Sequence, residues 1–180
     1  LPHRERFDNA GIYYGATFVE AQFCAGEDVA VVGGGNSAGQ AAIYLSTIAR
    51  HVQMLVRGES LSVTMSRYLI DRIQECPRIT VHTNTEIVAF IGETTLERIR
   101  WRHNKTGEVE ERPIRHVFCM TGAEPNTGWL AGCVGLDDRG FVKTGQDLRP
   151  DELEKAEWPL SRPPYLLETS RPGVFAVGDV

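Results

Sequence analysis

The run Val29-Ala30-Val31-Val32-Gly33-Gly34-Gly35-Asn36-Ser37-Ala38-Gly39-Gln40-Ala41-Ala42 constrains the fold more than any other feature of the chain. It reads as a buried strand entering a glycine turn that opens a helix. Gly33, Gly35 and Ala38 fill the G-x-G-x-x-G/A spacing of a dinucleotide-binding turn. Gly33 allows the tight turn, Gly35 leaves room for the backbone to approach a pyrophosphate, and Ala38 lets helix and strand pack closely. A pyrophosphate placed there meets the unpaired N–H groups of the helix N-terminus, where the dipole favours negative charge. Glycine turns occur in many folds. The all-apolar strand before this one, and the small-residue helix read from about Ser37 to Arg50, set it apart.

At 180 residues and 42% hydrophobic content, the chain can bury a sizeable core. A net charge of −5 argues against a nucleic-acid partner, which needs an excess of Lys and Arg. The apolar runs Val29–Val32 and Val117–Met120 are too short to span a bilayer. With no signal segment, the expected location is cytoplasmic. Cys24, Cys76, Cys119 and Cys133 show neither C-x-x-C nor metal-ligand spacing, so no metal site is expected. They read as reduced, mostly buried thiols. The chain opens Leu1-Pro2-His3 without an initiator Met and stops at Asp179-Val180 directly after a strand. It is read as a segment of a longer protein.

Strands expected at Val29–Val32, Val52–Val56 and Ile79–His82 alternate with helices, the second over Met65–Cys76, which implies parallel βαβ units. Glu86–Ile91, Thr95–His103 and Glu108–Ile114 read as an antiparallel meander, with Arg98, Arg100 and Arg102 on a wet face. Arg115–Met120 returns as a strand. Gly140–Thr144 reads as a short strand, the proline-rich stretch 145–165 as a long loop, and Val174–Val177 as a final buried strand. The expected fold class is α/β, a Rossmann-like three-layer nucleotide-binding domain with a parallel sheet plus an antiparallel meander.

Three segments in order carry a family resemblance: Gly33–Ala42, Thr121-Gly122-Ala123-Glu124-Pro125-Asn126-Thr127, and Pro172-Gly173-Val174-Phe175-Ala176-Val177-Gly178-Asp179. Together they resemble the thioredoxin reductase branch of the pyridine nucleotide-disulfide oxidoreductases, in which an NAD(P)H-binding domain is inserted into an FAD-binding domain. The resemblance implies that residues 1–10 end a preceding FAD-domain segment or linker. It assigns 11–122 to the NAD(P)H-binding domain and 123–180 to a truncated return into the FAD-binding domain. Gly33, Gly34, Gly35, Asn36, Ser37 and Ala38 match the coenzyme pyrophosphate turn. Gly122, with Pro125 and Asn126, matches the turn between the domains. Gly178 and Asp179 match the strand end whose carboxylate takes a hydrogen bond from the FAD ribityl chain. The implied cofactors are NADPH or NADH, with FAD in the intact protein, and the implied assembly is a homodimer.

The family's redox-active C-x-x-C belongs just before the first strand, where this chain has Ala16-Thr17-Phe18-Val19. Without two thiols there is no dithiol at that place to take electrons from flavin and attack a partner's disulfide. The pattern is then also similar to relatives that lack the motif, including ferredoxin–NADP reductases of thioredoxin-reductase type. Glu20 follows the vacant motif where the family carries an acidic proton donor, and it reads equally as a solvated glutamate.

Coenzyme choice is read after the second strand, where an Asp or Glu would accept from the ribose 2′-OH and repel a 2′-phosphate. This chain has Val56-Arg57-Gly58-Glu59-Ser60. Arg57 suits a 2′-phosphate, with Ser60, Ser62 and Arg67 as further donors and Glu59 as an opposing charge. NADPH is therefore expected over NADH. The leading function is a segment of a flavin-dependent oxidoreductase that binds NADPH and passes hydride to FAD toward an unidentified electron acceptor. No side chain of the segment is expected to be catalytic. The alternatives are a pyridine-nucleotide-sensing module without turnover, a ferredoxin–NADP reductase-like enzyme, and a dehydrogenase that binds only NAD(P).

Overall fold

The computed structural model describes residues 4–180 and falls into two compact units, one ending at Thr121 and one spanning Gly122–Val180. Of the stretch 1–10, residues 1–3 lie outside the described residues. Phe7 is buried in the core of the first unit.

The elements of the first unit are β1 (Ile12–Tyr13), α1 (Phe18–Gln22), β2 (Asp28–Val32), α2 (Asn36–Leu45), β3 (His51–Leu55), α3 (Arg67–Glu75) and β4 (Ile79–His82). They are followed by β5 (Thr85–Ile91), β6 (Arg98–His103), β7 (Val109–Arg112) and β8 (His116–Cys119). Strands in the order β1-β8-β2-β3-β4 form one sheet, parallel throughout, and β5-β6-β7 form an antiparallel sheet. The last strand of the parallel sheet, β8, inserts between β1 and β2. It pairs Ala30 with Val117 and Val31 with Phe118.

Alternation along β2 explains the three layers. Val29 and Val31 point into a cluster with Ala38, Ala41 and Leu45 of α2 and Leu69 and Ile73 of α3. Ala30 points the other way, into a cluster with Ile87, Ile99 and Trp101 of the meander. Both faces of the parallel sheet are thus covered, which is why β2 reads as unbroken apolar sequence. On β6, Ile99 and Trp101 are buried while Arg98, Arg100 and Arg102 face water. Glu111 accepts from Arg98 and Arg100, and Glu86 accepts from Arg102. The wet-face reading of these arginines is correct.

The helix expected to reach Arg50 stops at Leu45. The Ser46 and Thr47 hydroxyls donate back to the carbonyls of Ile43 and Tyr44, and the N–H groups of Thr47 and Ile48 close tighter turns on Tyr44 and Leu45. Gly26 N–H then takes the Ile48 carbonyl.

The second unit departs further from expectation. Gly140–Thr144 makes a single bridge, Leu136 to Val142, instead of a strand. The stretch 145–165 contains α4 (Pro150–Lys155). Pro150 sits at the helix start, where its missing N–H costs nothing, and the Glu152 carboxylate accepts from Arg149 N–H. Val174, Phe175 and Val177, expected to be buried, are 46%, 54% and 68% exposed. Among the described residues Phe175 bridges to Glu168, with Ala176 N–H donating to the Leu167 carbonyl and Thr169 N–H to the Val174 carbonyl, and Val174 N–H donates to the Arg171 carbonyl. An apolar run is buried only where another element covers it, and none within this unit does. No helix among the described residues is long and apolar enough to cross a membrane.

Candidate functional site

The first unit gathers seven of the expected site residues, Gly33, Gly34, Gly35, Asn36, Ser37, Ala38 and Arg57, at the carboxyl ends of β2 and β3. This is the edge of an open parallel sheet where ligands bind. Gly33 has φ +144°, and a Cβ there would lie 2.4 Å from the Met120 carbonyl oxygen, just past the end of β8. Its N–H donates to the Leu55 carbonyl at 3.0 Å, so the turn is stitched to β3 as it leaves β2. Ala38 is fully buried, and its Cβ would stand 3.0 Å from a Cβ on Gly33. Only a small residue fits there.

Gly35 differs. It is the N-cap of α2 in an extended conformation (φ −91°, ψ −178°), and no side chain caps the helix. A Cβ at Gly35 would meet nothing closer than the Thr64 carbonyl oxygen at 3.9 Å. Space is therefore open around Gly35, and no side chain caps the first-turn N–H groups of α2. A pyrophosphate fits this arrangement in both charge and room.

Asn36 and Ser37 are exposed. The Asn36 Oδ1 accepts from Ser66 N–H at 2.8 Å, so this side chain anchors the start of α3 to the start of α2. Thr64 acts in the same way, its hydroxyl donating to the Gly34 carbonyl at 2.8 Å. Sequence reasoning missed Thr64, which lies 30 residues from Gly34 and belongs to no motif.

Arg57 lies two residues past the end of β3. The main chain on either side of it is fixed: Val56 N–H donates to His82, Thr85 N–H donates to Val56, and Asn84 N–H donates to Gly58, each at 2.9 Å. Arg57 itself is exposed and has no hydrogen-bond or ion-pair partner among the described residues. The other expected donors are engaged. Ser60 Oγ accepts from Ser62 N–H at 3.1 Å, and Arg67 pairs with Asp71 at 2.9 Å. Glu59, expected to oppose Arg57, is held by Lys105 at 2.6 Å, which pulls its carboxyl below the usual range.

Around Ala16–Val19, where a dithiol was expected to be missing, the side chains cap a helix. Thr17 caps α1, with Val19 N–H donating to its hydroxyl. Glu20 closes the capping box by accepting from Thr17 N–H and from the Thr17 hydroxyl, and this lowers its pKa. Glu20 is a capping residue. Burial pushes the Cys24 thiol up to about 12, which leaves it no thiolate at neutral pH. The expectation of mostly buried cysteines holds for Cys24 alone; Cys76 and Cys119 are half-buried and Cys133 is exposed.

Gly122, Gly178 and Asp179 lie in the second unit, all three exposed. The segment leading to Asp179 is launched from a fixed turn. Glu168, with no exposed surface, accepts from Arg162 at 2.6 and 3.0 Å and from the N–H groups of Tyr165 and Gly173 at 2.8 Å each. Arg162 stacks over Tyr165 at 3.9 Å.

Comparison with known proteins places the chain in a family. The chain is 36% identical over 183 residues to NADPH-dependent thioredoxin reductase 3 of Arabidopsis thaliana, an alignment covering 100% of this chain and 31% of that protein. It is 32% identical over 180 residues to a thioredoxin reductase of Streptomyces clavuligerus, covering 100% of this chain and 49% of that one. The chain thus spans about half or less of these relatives. In three dimensions it is similar to Lactococcus lactis thioredoxin reductase in its FR conformation, with a TM-score of 0.76 over 99% of this chain and 52% of that chain. At 23% identity, that likeness shows the fold. Residues 8–180 match the family described as pyridine nucleotide-disulphide oxidoreductase. The resemblance carried by the three ordered motifs is therefore correct, and the chain belongs to the pyridine nucleotide-disulphide oxidoreductases, on their thioredoxin reductase-like side.

Proposed function

We propose that the first unit binds NADPH and that the protein containing this chain passes hydride from it to FAD, toward an electron acceptor not yet identified. The observation that carries this reading is the N-terminus of α2, without a side-chain cap, on the Gly33–Gly35 turn, with the cation Arg57, unpartnered among the described residues, just past the end of the neighbouring strand. Backbone N–H groups at Gly35, Asn36 and Ser37 hold the pyrophosphate, and the buried Ala38 keeps the helix close enough to present them. Arg57 pairs with the 2′-phosphate through charge-assisted hydrogen bonds. The nicotinamide and flavin supply the redox chemistry, while the chain supplies placement and charge. In the second unit, Gly178 and Asp179 offer backbone and carboxylate to the flavin chain, and Gly122 marks the passage between an NAD(P)H-binding part and an FAD-binding part. Homodimeric assembly belongs to the same proposal.

A reading as a nucleotide-sensing module without turnover draws on one observation, the Thr17–Glu20 cap at the place where relatives with a dithiol carry it. Rapid NADPH-dependent reduction of a dye by the protein containing this chain would refute that second reading.

Calorimetric titration of the chain with NADPH and NADH tests the first. Wild type is expected to prefer NADPH, and Arg57→Ala to lower the NADPH-to-NADH affinity ratio by about tenfold or more, the scale of one charge-assisted hydrogen bond. Absence of binding to either nucleotide would overturn the reading.

A further inference from the structure

The loop that carries Arg57 also carries an anion two residues later, Glu59. A free carboxylate there would repel a 2′-phosphate and offset the arginine. Three contacts bring a distant part of the chain to this loop. Lys105 Nζ lies 2.6 Å from Glu59 Oε1. Asn84 N–H donates to the Gly58 carbonyl at 2.9 Å, and Asn104 N–H donates to the Asn84 carbonyl at 2.6 Å. Asn84 adopts the left-handed region (φ +51°), one of three residues other than glycine to do so among those described. That conformation turns its N–H toward one loop and its carbonyl toward the other. The tip of the β6–β7 hairpin is thereby docked by main-chain bonds beside the Arg57 loop, and the Lys105–Glu59 pair sits on that docking.

We propose that the β6–β7 hairpin is a coenzyme-selectivity element, in which Lys105 holds the Glu59 carboxylate off the phosphate that distinguishes NADPH from NADH. The inference rests on the reading of Arg57 as the 2′-phosphate partner. With Lys105 in place, the loop and hairpin tip present two cations, Arg57 and Lys105, and two anions, of which Glu59 is paired with Lys105 and Glu108 accepts from the Thr106 hydroxyl. Without Lys105, the Glu59 carboxylate loses its partner and competes with the phosphate for the Arg57 guanidinium. The hairpin tip is further shaped by Thr106 N–H donating to His103 Nδ1 at 3.1 Å and by Gly107 N–H donating to the His103 carbonyl at 2.8 Å. These bonds fix where the Lys105 stem leaves the backbone.

The test is titration of the chain with NADPH and NADH in wild type, Lys105→Met, Glu59→Gln and the double variant. Thermal melting of each checks that the hairpin stays folded. Lys105→Met is expected to lower the NADPH-to-NADH affinity ratio about three- to fivefold, the scale of one exposed charge pair. Lys105→Glu should lower it further. Adding Glu59→Gln to Lys105→Met should return the ratio to within about twofold of wild type, since the neutral amide needs no restraint. A double variant as impaired as Lys105→Met would mean that Lys105 acts on the phosphate directly, and would overturn the proposal. A ratio unmoved by Lys105→Met but reduced by Arg57→Ala would overturn it while leaving NADPH recognition intact. Binding of neither nucleotide by wild type would overturn both.

Discussion

Gly33→Ala should damage the fold and Gly35→Val should damage binding, although the two glycines share one turn. At Gly33 the φ of +144° is strained for any side chain, at a cost of about 1–3 kcal/mol. The new Cβ would also lie 2.4 Å from the Met120 carbonyl oxygen and 3.0 Å from Ala38 Cβ. Relieving that means parting the ends of β2 and β8 where Met120 N–H donates to the Val32 carbonyl at 2.8 Å. Overpacking of this kind adds about 1–3 kcal/mol. A chain of this size loses about 2–4 °C of Tm per kcal/mol, so Gly33→Ala should melt roughly 10 °C lower. At Gly35 the extended φ of −91° suits any residue and the nearest atom is 3.9 Å away. Valine there should cost no more than about 1 kcal/mol, the penalty of an apolar N-cap. Its methyl groups, however, fill the space a phosphate needs to reach the first-turn N–H groups. Two charge-assisted bonds lost at about 1.5–3 kcal/mol each correspond to at least a hundredfold weaker binding, on the order of 3–6 kcal/mol. Circular dichroism melts paired with NADPH titration separate the two outcomes. Wild-type affinity in a folded Gly35→Val variant, or a wild-type Tm in Gly33→Ala, would refute the reasoning.

Acid should weaken the second unit. Arg162 above all, with the N–H groups of Gly173 and Tyr165, holds the Glu168 carboxyl at about 2, below its ordinary 4.5. A depressed carboxylate contributes stability that is fully present above the unfolded pKa and is lost as pH falls from about 4.5 through about 2. Melts of wild type and Arg162→Met should therefore differ most at neutral pH and converge toward pH 2; a difference independent of pH would count against the pair. Thiol reactivity should sort the four cysteines by burial. Cys133 should react at once with an aromatic disulfide at neutral pH, and Cys24 only on unfolding, as its burial and pKa of about 12 require. Rapid labelling of Cys24 in the native chain would contradict its placement.

What could be read before folding was what depends on local chemistry. β2 announces itself because a strand covered on both faces must be apolar, and Val29–Val32 is covered by α2 on one side and by the meander on the other. The glycine turn announces itself because only residues without a side chain satisfy both φ +144° at Gly33 and free approach at Gly35. The alternation of Ile99 and Trp101 with arginines fixed the wet face of β6. Elsewhere local chemistry was not enough. Val174–Val177 is apolar in the same way as β2, yet it is exposed, because burial is a property of the covering element and not of the strand. Pro150 looked like a loop residue and begins a helix, because a proline at the first helical position loses no bond.

The sequence by itself determined the alternation of strands and helices from β2 to β4, the meander, the family and the glycine turn, since each follows from side-chain size, polarity and spacing over a few residues. Tertiary structure alone decided the fate of the charges. Glu59 and Lys105 stand 46 positions apart. Only the docking of the β6–β7 hairpin beside the Arg57 loop brings the pair to 2.6 Å and leaves Arg57 without a partner among the described residues. Charge acts through space, and the folded backbone sets the distances.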